Sequence, residues 1–164
     1  MKTLIVYASR RGTTRQCAEL ICKTLGNDAQ IHDLAEGSLP DLDDFDTVVV
    51  GANAFRFKLN KRATRFVKKN LDLLLKKPLY LFICSGSDND GARKLFTASY
   101  PAASIKHASA LENFGGRLVS TDEPWLVRKM LTRMGIKDYD TLTLNHITEW
   151  AKLISKTSLV AHYR

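Results

Sequence analysis

The chain has 164 residues, 45% of them hydrophobic, and a formal net charge of +8, which fits one domain large enough to bury a sizeable core. No apolar run reaches the roughly 18–20 residues that span a bilayer, and no signal-peptide pattern opens the sequence. The positive charge comes without zinc-ligand spacing or an RNA-reading aromatic motif, so nucleic acid is not an expected partner and the cytoplasm is the expected location.

Leu4–Ala8 is a short apolar run that reads as a buried parallel strand. It stops at a polar loop containing Ser9, Arg10, Arg11, Gly12, Thr13 and Thr14. A helical pattern follows at once, with Cys17, Leu20, Ile21 and Leu25 on one face. A strand, a hydroxyl-rich loop and a helix N-terminus together form a phosphate site. Unpaired backbone N–H groups and the positive end of the helix dipole face the anion, and hydroxyls add donors. The loop is neither Gly-x-Gly-x-x-Gly nor a Walker loop. An ordinary strand–turn–helix with a hydroxyl cap is the plain alternative.

Ala29–Leu34 gives a short second strand, and Asp41–Phe45 an acidic turn or short helix. Asp46–Ala52 is an unbroken β-branched strand. One helix with Ala63, Phe66, Val67, Leu71 and Leu74 in phase follows. Pro78–Cys84 is the next strand, and the loop Ser85–Gly91 leads into a helix through Ala92, Leu95 and Phe96. The last strand is expected within Ala110–Leu118. In the segment after it, Asp122 is placed to cap a helix that has Pro124 in its first turn. Val127, Met130, Leu131 and Met134 share one face of that helix, while Arg128, Lys129 and Arg133 lie off it. Such a stripe either packs on the core or rests on an anionic membrane surface. A final helix carries Ile147, Trp150, Ala151 and Ile154.

Alternating strands and helices imply an α/β three-layer sandwich: a five-stranded parallel sheet with helices on both faces, formed by residues 1–164 as a single domain. The ligand then sits at the carboxyl ends of the strands, near the topological switch, which gathers the loops Ser9–Thr14, Ala52–Asn60 and Ser85–Gly91. A response-regulator reading fails, because Ala8-Ser9 and Gly51-Ala52 stand where acidic residues are needed. Cys17, Cys22 and Cys84 read as buried free thiols. No metal-ligand spacing is present. His32, His107, His146 and His162 are scattered, and no catalytic side chain stands out.

The opening segment resembles the flavodoxin signature. Ile5-Val6-Tyr7, Ser9, Gly12, Thr14 and Ala18 fill its positions in order. The resemblance implies that the first loop holds the 5′-phosphate of a noncovalent FMN. It also implies that Ala52, Asn53, Ala54, Phe55 and Phe57 run along the isoalloxazine, with Phe55 or Phe57 stacked on the ring. At least one of the two phenylalanines is expected to anchor its loop in the core. Ser85, Gly86, Ser87 and Asn89 are expected at the flavin's polar edge.

Within that superfamily the chain is similar to the menaquinone-dependent protoporphyrinogen oxidases. The likeness runs through Met1–Ile5, Val50–Ala52, Phe66–Lys69 and Trp125–Gly135, and is looser at Asp138, Asp140-Thr141 and Glu149–Ala151. It implies an FMN-dependent oxidoreductase passing electrons from a small organic donor to a quinone, near the cytoplasmic face of a membrane. The segment Ser120–Tyr139 stands where that family has a longer insertion richer in aromatics. An electron-transfer flavodoxin serving protein partners is the alternative. The basic clusters Arg10-Arg11, Arg56–Arg65, Lys68-Lys69, Lys76-Lys77 and Arg128–Arg133 favour an anionic reduced flavin and hence an electron-accepting role.

Overall fold

The computed structural model describes residues 2–55 and 57–161, with side chains through 156. Met1, Arg56 and His162 lie outside the described residues. In chain order the elements begin β1 (Thr3–Ala8), α1 (Thr13–Leu25), β2 (Ala29–Asp33), β3 (Thr47–Phe55), β4 (Lys58–Leu59), α2 (Lys61–Lys69) and α3 (Leu71–Leu74). They continue with β5 (Leu79–Cys84), α4 (Asn89–Ser99), α5 (Ala102–His107), β6 (Ala110–Asn113), β7 (Arg117–Leu118), α6 (Trp125–Arg133), β8 (Tyr139–Asp140) and α7 (Leu144–Ala161).

The expected five parallel strands form one sheet in the order β2-β1-β3-β5-β6. Alternation along the central strands builds two cores. Leu4, Val6, Val48, Val50, Leu81 and Ile83 face α2–α4 through Ala63, Phe66, Val67, Leu74, Leu95 and Phe96. Ile5, Tyr7, Val49, Tyr80, Phe82 and Cys84 face α1 and α7 through Cys17, Ile21, Ile147, Trp150 and Ile154. Central strands covered on both faces favour apolar residues at nearly every position, and β1 and β5 are buried along their whole lengths. The chain leaves β1 for β2 on one side and returns to β3 on the other, so the loops after β1 and β3 diverge and open a crevice.

Several boundaries differ from those expected. The helix over residues 61–74 breaks at Asn70, whose Nδ2 donates to the Phe66 carbonyl at 2.9 Å and closes the turn. The last parallel strand ends at Asn113, and Gly115 turns the chain away with φ +86°. Arg117 and Leu118 belong instead to a separate antiparallel pair with β8. Asp122 does not cap α6. It lies in a 3-10 turn over Ser120–Asp122, and Pro124 is the cap residue rather than part of the first turn. The short α5 is an addition: Ser104 Oγ donates to the Pro101 carbonyl at 2.7 Å, and its sequence has no apolar period to announce it.

Candidate functional site

At the carboxyl end of β1 the chain enters the loop Ser9–Gly12. The Gly12 N–H donates to Ser9 Oγ at 3.0 Å, and Gly12 adopts φ +88°, a left-handed conformation that costs glycine little. Helix α1 starts directly after it. Its first intrahelical bond runs from the Gln16 N–H to the Gly12 carbonyl at 2.8 Å, and no side chain caps the N–H groups before it. No acidic residue occupies the first turn. The helix therefore presents open donors and its positive pole. Thr14 is fully buried, and its Oγ1 has no hydrogen-bond partner among the described residues. A buried hydroxyl left unpaired is costly unless a ligand completes it.

The loop's two arginines have distinct positions. The Arg10 guanidinium lies 4.0 Å from the centre of the Phe55 ring, a cation–π contact. Arg11 forms an ion pair with Glu123, whose carboxylate side chain is only 1% exposed. Glu123 ties the segment after β7 to this loop, a link the sequence did not signal.

The second loop is a tight hairpin. Ala54 pairs with Leu59 and Phe55 with Lys58, and Asn60 Nδ2 donates to Asn53 Oδ1 at 2.9 Å. Phe55 is half-buried beside Arg10, while Phe57 is 89% exposed with φ +61°. Neither phenylalanine is buried in the core, contrary to expectation, because pairing with β4 holds the hairpin instead. The third loop is pinned from β6. The Ser85 N–H donates to Asn113 Oδ1 at 3.2 Å, and Asn113 Nδ2 donates to the Ser87 carbonyl at 3.0 Å. Asp88 caps α4 by accepting from the Gly91 N–H at 2.8 Å.

These loops enclose a cavity of about 310 Å³. Ser9, Arg10, Arg11, Thr13, Thr14, Asn53, Ala54, Phe55, Phe57, Ser85, Gly86 and Ser87 all line it. Three other candidates stand back from it. Gly12 shapes the turn, Ala52 is buried in the core, and Asn89 is the first residue of α4. The cavity also has a roof. Val127, Met130, Leu131 and Met134 from the end of the chain's basic segment line it, with Tyr139. The apolar stripe of α6 thus faces the cavity, and only Leu131 on that helix is buried. Tyr139 lies so close to Gly86 that a Cβ there would fall 2.4 Å from its hydroxyl. Period-3.6 spacing revealed the stripe but not which surface it covers.

Cys84 lines the cavity floor, with its sulfur 3.5 Å from that of Cys17. The hydrogen bond with Cys84, then burial, raises the Cys17 thiol far above its ordinary pKa. All three cysteines are free, and Cys22 is only partly buried. Among the described residues no His, Cys, Asp or Glu cluster is arranged to hold a metal ion.

A flavodoxin-domain family model matches residues 4–141. No curated protein matches the sequence significantly. Several solved structures are similar in fold. A flavodoxin from the domain Archaea is 20% identical with TM-score 0.56, covering 93% of this chain and 99% of its own. A short-chain flavodoxin associated with a non-canonical PDU bacterial microcompartment is 17% identical with TM-score 0.63, covering 96% and 99%. A Fusobacterium nucleatum flavodoxin bound to flavin mononucleotide is 16% identical with TM-score 0.56, also covering 96% and 99%. With the doubly wound sheet and the family match over most of its length, this chain belongs to the flavodoxin-domain family.

Proposed function

We propose that the protein binds one FMN noncovalently in this cavity and acts as a flavodoxin-type electron carrier between redox partners. The observation that carries the reading is the buried, unpartnered Thr14 hydroxyl beside the uncapped start of α1. A phosphate placed there would receive that hydroxyl, the open N–H groups of the first turn and the charge of Arg10. Ser9 already receives the Gly12 N–H, so it shapes the loop and keeps its own hydroxyl hydrogen for the ligand.

FMN, when bound, supplies the redox chemistry. The protein supplies position and field. Asn53, Ala54 and Phe55 form one wall, and Ser85, Gly86 and Ser87 the other. The two Asn113 bonds tie that second wall to β6, and the apolar stripe of α6 bounds the cavity on a third side. The family match and the FMN-bound Fusobacterium nucleatum relative support the same cofactor. Titration of the protein with FMN, followed by flavin fluorescence, tests the reading. Saturable one-to-one binding is expected, and no binding rejects it.

The apolar roof favours a second reading, an oxidoreductase that takes a small organic donor against the flavin and passes electrons to a quinone. Met130, Leu131 and Met134 would then bound the donor's compartment. Protoporphyrinogen turnover that depends on added menaquinone would establish it over the carrier reading. Among the described residues no helix is long and apolar enough to cross a membrane.

A further inference from the structure

Beside the proposed flavin cavity lies a second recess that the redox reading does not use. It is a groove of about 750 Å³ between α2 and α4, floored by Thr64, Ala98 and Ser99. Its walls carry Lys58, Lys61, Arg65, Lys68 and Lys69. Helix α2 reads Lys-Arg-Ala-Thr-Arg-Phe-Val-Lys-Lys, five cations and no carboxylate in nine residues. Among the described residues none of these cations has an ion-pair partner, although Arg11, Arg15, Lys77, Arg117 and Lys152 elsewhere do. Like charges held at one-turn spacing repel each other, which destabilises the helix slightly and concentrates a positive potential on one face.

Phe57 joins the two recesses. It lines both the cavity and the groove, is 89% exposed and sits at φ +61°. A left-handed conformation is unusual for a bulky residue, and an aromatic held out in water is the residue type that anchors interfaces. An anchor at the shared rim would bring a partner's redox centre to the edge of the cavity.

We infer that this groove is the docking surface for an acidic electron-transfer protein, a partner that presents carboxylates to α2 and an apolar contact to Phe57. The inference rests on the carrier reading above. A protein surface fits the observations better than a lipid surface does. The cations line a concave recess, which a protruding partner can fill and a flat headgroup layer cannot. Two other exposed apolar side chains, Trp125 and Leu126, belong to α6 and do not line the groove. Opposite charge steers association and raises on-rates by about 10- to 1,000-fold at low salt.

The test uses a plant-type two-iron ferredoxin as the acidic probe and mitochondrial cytochrome c as the basic one. Binding of oxidised ferredoxin to the full chain is measured by calorimetry without flavin. Electron transfer from reduced ferredoxin to the FMN-loaded protein is followed by stopped flow. Two ferredoxins are each oxidised by one electron, and one flavin takes both, with protons from solvent. Ferredoxin should bind at low salt, and its transfer rate should fall about tenfold or more as salt rises. K61E/R65E/K68E/K69E, at exposed positions that leave FMN uptake unchanged, should abolish binding and the salt dependence. Cytochrome c should behave in the opposite sense. Equal ferredoxin binding by variant and parent overturns the inference. So does parent-only sedimentation with anionic phosphatidylserine vesicles together with an unchanged ferredoxin response. Failure to take up FMN with ferredoxin binding intact rejects the carrier reading and leaves the docking surface standing.

Discussion

Replacing Thr14 by valine separates the ligand's contribution from the fold's. The hydroxyl is fully buried and lacks a hydrogen-bond partner, while the side chain borders the cavity. In the unliganded protein it is therefore a desolvated group without compensation, which costs about 1–3 kcal/mol. Valine keeps the shape and removes the polar atom, so the unliganded variant should be as stable as the parent or more so. In the complex the same hydroxyl donates to a charged phosphate oxygen, a bond that contributes about 1.5–3 kcal/mol. Its loss should weaken FMN binding about 10- to 150-fold. The two effects have opposite signs, which no general damage to the fold reproduces. Urea denaturation of the apo-protein gives the first, and fluorescence titration with FMN the second. Unchanged FMN affinity, or weakened affinity with an equally destabilised apo-protein, would refute the assignment of Thr14 to the phosphate.

Arg11→Ala should lower stability, because it strands the buried Glu123 carboxylate; breaking such pairs costs about 3–5 kcal/mol. The value should fall at the low end, since the Arg11 side chain keeps 32% of its exposure, and R11A/E123Q should recover much of the loss in chemical denaturation. Gly51→Ala should destabilise by about 1–3 kcal/mol, as a Cβ there would meet the buried Phe82 ring at 2.2 Å; thermal unfolding measures it. Cys17 should resist a thiol reagent until the protein unfolds, and its rapid labelling in the native state would contradict its burial. The Asp140 carboxyl is held below its ordinary pKa by the hydrogen bond from Arg117, then by the Leu142 N–H. Its stabilising effect on the β7–β8 pair is thus present above the ordinary carboxylate range and lost as pH falls through the lowered value. NMR should show that pair loosening in acid, and D140N should remove the dependence.

The sequence was most legible where one physical requirement dictates residue type. Strands covered on both faces leave few polar positions, so β1, β3 and β5 stand out as largely apolar runs. The glycine turn and hydroxyls of residues 9–14 likewise mark a loop at the carboxyl end of β1, and all of it but Gly12 lines the cavity. Side-chain contacts between distant segments were not legible. Glu123 reads as one of many surface acids until the fold places it on Arg11. Tyr139 and Met134 lie far along the chain from Gly86, yet share its cavity. Asn113 is an ordinary strand end in sequence, and only the sheet register turns it into the clamp for Ser85 and Ser87. Phe57 was expected to face the flavin or the core. A two-stranded hairpin keeps it out of the core and at the rim of the cavity, where it also borders the groove.

The central claim is that the cavity above Thr14 holds FMN. The most direct measurement is the absorption spectrum of the purified protein, with the released cofactor identified by mass and counted per chain. The expected result is a yellow protein, or an apo-protein that turns yellow on adding FMN, with one FMN and no FAD per chain. A colourless protein that leaves added FMN free in solution would contradict it.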